Sequence, residues 1–243
     1  MIGFGLDLSG YTTNKTSLAA VVTNGEVAEA ILLRNSAFFG ARDTSLPLQE
    51  VARAEARDLK RCLDIGPVAV DIPIDLQDLL FPERAKVIWE LTRRPIDKKL
   101  KAMPPLADRI GSPVARFSAI MREGNFADRL GNDLFETYPS ENLRRLRLAA
   151  TDTEGRISRQ EARQEFFRTL AMEISRATED DLDAILCALA AVASQDSLVA
   201  EGEFQLDGGT LPTGFRILKR IPFSRVILRH EDFSAWLTER GAA

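Results

Sequence analysis

The residues of this chain best suited to chemistry are carboxylates set at the ends of apolar runs. Asp7 follows Ile2-Gly3-Phe4-Gly5-Leu6, Asp71 follows Val68-Ala69-Val70, and Glu136 follows Leu134-Phe135. Asp180 and Asp183 open a long apolar stretch, Leu182-Asp183-Ala184-Ile185-Leu186-Cys187-Ala188-Leu189-Ala190-Ala191. A carboxylate that ends a buried strand is costly unless a cation or hydrogen bonds offset its desolvation. Several such groups in one place call for a metal. Hard divalent cations, Mg²⁺ or Mn²⁺, take oxygen ligands and keep some of their waters. Two such ions about 4 Å apart activate a water and stabilise the leaving oxygen of a phosphodiester. Asp180 and Asp183 are three residues apart and so share one helix face. Asp181 points elsewhere and reads as a solvated N-terminal acid. Taken singly, each acid has a plainer reading: a turn or cap at a strand end, a surface residue in the case of Glu136, a partner of the helix dipole for Asp180. The order strand–acid three times over, then a helix with D-x-x-D, lifts the set above its members.

The elements that must position these acids are legible in outline. Ile2 to Leu8, Thr16 to Thr23 and Glu26 to Arg34 read as strands, and Asn24-Gly25 closes the last two as a tight hairpin. Pro47 to Leu63 has helical spacing, with Val51, Leu59 and Leu63 apolar. Pro67 to Asp71 is a short apolar strand of the buried parallel type, stopped by Pro73. Helices are expected within 82 to 123, a further strand at Asn132 to Tyr138, and a helix from Pro139. Ser158 and Glu161 spell a capping box for a helix running to about Ala177. Thr178 caps the next helix, whose small residues Ala184, Cys187, Ala188 and Ala191 let it lie close to a sheet. Short strands are expected near 203–206, 215–220 and 225–229. The expected fold is one α/β domain over 1–243. It has a mixed five-stranded sheet, an antiparallel three-strand meander plus parallel strands, flanked by helices. A helical insert is expected at about 78–130 and a C-terminal extension at about 200–243.

Composition bounds the partners. With 45% apolar and 28% charged residues the chain has an ordinary soluble make-up. Its net charge of -4 means that a nucleic-acid partner must meet a local basic patch. Arg93, Arg94, Lys98, Lys99 and Lys101 form the densest basic stretch, read as a solvated helix face, and Arg144, Arg145 and Arg147 a second group. Cys62 and Cys187 are too few for a disulfide framework and read as buried thiols. The single histidine, His230, leaves no material for a histidine-based triad or a zinc site of several histidines. No apolar stretch reaches about 18 residues without charge, and no signal peptide is evident. A cytoplasmic protein without a membrane partner is expected.

The segments Gly5-Leu6-Asp7, Val68-Ala69-Val70-Asp71-Ile72-Pro73, Phe135-Glu136-Thr137-Tyr138-Pro139-Ser140 and Asp180-Asp181-Leu182-Asp183-Ala184 together resemble the domain-of-unknown-function family 429. This is a group of predicted nucleases with a ribonuclease H-like fold. Arg94-Pro95-Ile96-Asp97 looks like the family's Arg-x-x-Asp segment, whereas Thr213-Gly214-Phe215-Arg216-Ile217 stands where the family has Glu-Gly-Trp-Ile. The helix of Asp180 and Asp183 also looks like that of Holliday-junction resolvases. The resemblance implies a metal-dependent nuclease acting on DNA or RNA. Its ligands would be Asp7, Asp71, Asp180 and Asp183, with Glu136 nearby. Two other readings compete. One is a nucleotide-handling enzyme of the sugar-kinase and actin-like group, since Gly5-Leu6-Asp7-Leu8-Ser9-Gly10 is similar to its first phosphate loop. The other is a non-catalytic module in which the acids are structural or bind a metal or ligand.

Overall fold

Ile2–Asp7 (β1), Ser17–Thr23 (β2) and Val27–Arg34 (β3) are dominated by apolar residues and pair as an antiparallel meander. The computed structural model describes residues 1–12, 15–24, 26–40, 45–76, 93–105, 108–151, 159–170, 177–206, 211–221 and 223–241. The chain continues through Leu48–Leu63 (α1), Val68–Val70 (β4), Pro95–Lys99 (α2), Asp108–Gly124 (α3), Leu134–Glu136 (β5), Pro139–Thr151 (α4), Arg159–Thr169 (α5), Glu179–Val192 (α6), Arg225–Asp232 (β6) and Phe233–Thr238 (α7). Among the described residues the sheet has six strands in the order β5-β4-β1-β2-β3-β6. Strands β4 and β5 run parallel to β1, and β6 runs parallel to β3.

The sixth strand departs from the five expected. Arg225–Asp232 pairs along the whole length of β3, so the tail completes the sheet edge instead of lying outside it. The other two tail strands do not form. Glu201–Phe204 is a turn of 3-10 helix, and 215–220 makes only single bridges, Phe215 to Glu136 and Leu218 to Leu198. The Gly25 corner of the hairpin, the Ser158 cap, residues 171–176 of the helix expected to reach Ala177, and residues 77–92 of the expected insert lie outside the described residues.

Side chains alternate across a strand, so each strand feeds two cores. Phe4, Leu6, Leu18, Ile31, Val68, Val70 and Leu134 pack with Leu59 and Cys62 of α1, Phe117 of α3 and Trp236 of α7. Ala19, Val21, Ala30, Ala69 and Phe135 pack on the other face against α4, Phe166 and Phe167 of α5, and the buried run of α6. The sheet is therefore covered on both faces, and both cysteines are buried. Among the described residues no helix is long and apolar enough to cross a membrane.

Two glycines set the depth of α6. A Cβ at Gly5 would lie 2.0 Å from the Ala184 carbonyl oxygen and 2.8 Å from the Cys187 Cβ, and one at Gly3 would lie 2.5 Å from Val192. A side chain at Gly3 or Gly5 would push the helix off the sheet. The small faces expected of Ala184, Cys187 and Ala188 are what this close approach uses.

Candidate functional site

Strand parity decides which acids meet. In β1, Phe4 and Leu6 face the α1–α3 layer, so Gly3, Gly5 and Asp7 face α6. In β4, Val68 and Val70 face the α1–α3 layer and Ala69 faces α6. The parallel register sets Gly5 beside Ala69 and Leu6 beside Val70. The ladder continues with the Asp71 N–H donating to the Leu6 carbonyl at 3.0 Å. Asp7 and Asp71 therefore stand side by side at the carboxyl ends of neighbouring parallel strands, under the first turns of α6.

The electrostatics agree with that placement. Burial pushes the Asp7 carboxyl well above the usual carboxylate range. Asp71, Asp183 and Asp180 push it further, in that order, and Arg163 pulls it back. The Cys187 thiol, raised chiefly by burial, also feels Asp71, Asp7 and Asp183. Asp180 is half-buried; burial raises its carboxyl, Lys15 opposes, and Asp183 adds to the rise. Four of the five expected acids thus converge from two strands and one helix.

Asp183 already has a strong partner. Arg163 Nε and Nη2 donate to its two oxygens at 2.6 Å each, and Arg163 Nη1 lies 2.7 Å from Glu179. Among the described residues no group of three or more His, Cys, Asp or Glu side chains is arranged to hold a metal ion in this state. The donor chemistry suits a hard divalent cation, four carboxylates with no soft ligand. The geometry has Arg163 holding one of those donors.

Glu136 does not join them. It pairs with Val70 across the β4–β5 ladder, so it faces the side away from α6. There Arg94 donates to both its oxygens, at 2.6 and 2.8 Å, and the Ile74 N–H donates at 2.9 Å. Arg94 also grips Asp97 through Nε and Nη2, and the Tyr138 hydroxyl donates to Asp97 at 2.5 Å. Arg94 is 2% exposed and Glu136 and Asp97 are fully buried. Burial works against charge on Arg94, yet Glu136 and Asp97 hold it firmly protonated. Burial pushes the Glu136 carboxyl up against the pull of Arg94. The Arg94-x-x-Asp97 segment is thus an ion-pair knot that ties α2 to β5, and Arg94 does not belong to a solvated face, although Lys98, Lys99 and Lys101 do.

Asp181 is a second correction. It is fully buried, not solvated. It accepts from Ser17 Oγ at 2.6 Å, Arg34 Nη2 at 2.9 Å and the Thr178 N–H at 3.0 Å. Thr178 returns a bond to the Asp181 N–H, so the expected cap is a full capping box. These bonds lower the Asp181 carboxyl although burial alone would raise it. They anchor the first turn of α6 to β2, which fixes where Asp180 and Asp183 stand.

The loop after β1 is pinned from the far side of the sheet. Arg116 of α3 donates to the Ser9 carbonyl at 2.7 Å and to Thr16 Oγ1 at 3.2 Å while paired with buried Glu55 at 2.6 Å. Ser9 Oγ and Thr16 Oγ1 lie 3.0 Å apart. The Ser9-Gly10 segment is therefore held by protein groups.

A cleft of about 480 Å³ opens beside Asp71 and Arg163, between the chain following α2 and the start of α4. Motif and strand-end patterns do not single out Arg163, though its spacing carries a signal. Arg163, Phe166, Phe167 and Leu170 share one helix face, and an arginine on an apolar face needs a carboxylate. Compared with known proteins, the chain gives no match to a family model, a curated protein or a solved structure.

Proposed function

We propose that this chain is a divalent-metal-dependent nuclease that hydrolyses phosphodiester bonds of nucleic acid. Asp7, Asp71, Asp180 and Asp183 would hold Mg²⁺ or Mn²⁺. The observation that carries the reading is geometric: the β1–β4 register sets Asp7 beside Asp71 at the strand ends, under the turn of α6 that bears Asp180 and Asp183. Nothing in folding requires that arrangement, and it costs stability, so the cluster has the character of a site. The three-strand meander with two parallel strands beside β1 supports the ribonuclease H-like architecture implied by the resemblance, with β6 as an added edge. Cations bound there would acidify a water and stabilise the leaving oxygen.

The protein's own part is positioning. The β1–β4 ladder fixes Asp7 and Asp71, and the capping box with Ser17 and Arg34 fixes the turn that carries Asp180 and Asp183. Asp183 must exchange Arg163 for the cation. The freed guanidinium, already at the cleft wall, is then placed to meet a phosphate oxygen. Glu136 belongs to the scaffold in this reading and not to the ligand set.

Asp7→Asn and Asp183→Asn are expected to lower Mn²⁺-dependent cleavage of nucleic acid by at least about 100-fold while melting cooperatively. Wild-type rates in both variants would end the proposal. The non-catalytic reading draws on one observation, the two-pronged grip of Arg163 on Asp183. Heat of Mn²⁺ binding with no cleavage of any DNA or RNA strand would favour it.

A further inference from the structure

The cleft beside the carboxylates is built for a particular kind of ligand. Its cations come from three elements: Lys101 after α2, Arg144 and Arg147 on α4, and Arg163 on α5. Against these four stand two lining carboxylates, Asp71 and Glu141. Glu141 accepts from both Arg144 and Arg145, each at 2.7 Å, and Arg147 lies 3.7 Å from Glu165. The lining thus carries more cations than carboxylates in a chain whose net charge is -4, with Arg163 paired behind the wall to Asp183 and Glu179.

Ser140 apart, its remaining surface is largely apolar. Pro73, Leu100, Ile110 and Leu143 line it, and Met103 is left 47% exposed there. Tyr138 adds an aromatic ring tethered at its hydroxyl. Its hydroxyl is tied to Asp97 and its ring tilts against Phe215 at 5.6 Å between centroids. Lys101 takes a left-handed backbone with φ of 53°, at the position after a helix end where glycine is usual.

We infer that this cleft captures one unpaired nucleotide of a single-stranded polynucleotide, with the base against Tyr138 and Met103 and the backbone phosphates on Lys101 and Arg147. Fixed aromatic and apolar walls ringed by cations are how proteins hold bases outside a stack. A volume of about 480 Å³ suits one nucleotide. Bases within a duplex stay stacked and cannot reach a recessed apolar wall. The assignment deepens the nuclease reading and rests on it for the fate of the strand, but not for its capture.

The test is fluorescence anisotropy in chelator, where cleavage does not intrude. Labelled DNA and RNA single strands of about 12 nucleotides are compared with the matching duplexes. Single strands are expected to bind about tenfold or more tighter than duplex, and the ratio of DNA to RNA tells which is preferred. Met103→Asp and Lys101→Glu should each weaken single-strand binding about tenfold, and Lys101→Glu should lower the salt slope by about one. Lys60→Glu on α1 makes the same charge change on the opposite layer and should leave binding within about twofold. Equal or tighter duplex binding overturns the inference, as do cleft variants that bind like wild type. A mononucleotide that competes as well as the strand also overturns it. Strand capture as described without Mn²⁺-dependent cleavage would remove the nuclease reading and leave the cleft assignment standing. Cleavage with unaltered cleft variants would do the reverse.

Discussion

Two groups of acids lie on opposite faces of the same sheet, and they differ in how many of their members a guanidinium holds: both Glu136 and Asp97 in one, Asp183 in the other. On the α1–α3 side, Glu136 and Asp97 are gripped through both their oxygens by one guanidinium, with Ile74 and Tyr138 adding donors. On the α6 side, burial first and then Asp71, Asp183 and Asp180 push the Asp7 carboxyl well above the usual carboxylate range despite Arg163. The first group is an ionic knot satisfied by protein alone. The second is arranged at a cost that an external cation would remove. Burial raises the carboxyls of both Asp7 and Glu136; what differs is the neighbour, an arginine at Glu136 and three more carboxylates at Asp7.

The knot breaks hardest. Arg94→Met strands two fully buried carboxylates, and a loss of about 3–5 kcal/mol is expected. At about 2–4 °C per kcal/mol for a chain of this size, a thermal melt should fall by about 6–20 °C. A fall of under about 3 °C would show that the knot is not structural. Asp181→Ala comes next. It removes half of the capping box and leaves Ser17 and the Thr178 N–H without their acceptor. A loss of about 2 kcal/mol is expected in urea unfolding, with the slope against denaturant unchanged.

Asp7→Asn should do the reverse. A carboxyl whose folded-state value is raised binds its proton more tightly in the folded chain. Its contribution therefore turns unfavourable as pH rises through and above the usual carboxylate range. Without metal at neutral pH, the asparagine variant should be more stable than wild type by about 1 kcal/mol. The gain should shrink toward zero below about pH 4, where the aspartate is protonated in both states. Chelator melts at the two pH values read this directly. A variant less stable than wild type at neutral pH would erase the contrast between the two faces. Excess Mn²⁺ should cancel the gain by stabilising wild type alone.

Much of the fold and of the acid cluster is legible in the order of residues. Apolar runs and turn residues mark β1 to β5, α1 and α4, and Thr178 marks the start of α6, because those signals are local. The small residues of α6 announce a close approach, and Gly3 and Gly5 supply its other half. Strand ends and helix spacing mark Asp7, Asp71, Asp180 and Asp183 as candidates for one site, and the β1–β4 pairing brings them together. The place of Glu136 does not follow. It turns on whether Glu136 sits opposite Val70 or one residue away, and a one-residue shift in register moves a side chain to the other face. By its residues alone β6 is a short strand in a tail, since nothing local says which edge a strand will find.

What the amino-acid order determined alone was the set of elements and the stock of carboxylates at their ends, since propensity, capping and periodicity act over a few residues. The tertiary structure decided which acids share a face, that Asp181 is buried under Ser17 and Arg34, and that Arg94 and Arg163 are the cations meeting them. Those outcomes rest on register and on contacts between residues more than a hundred positions apart in the case of Ser17 and Asp181. The charge that a buried group keeps depends on every neighbour the fold brings to it, and no window of sequence contains those neighbours.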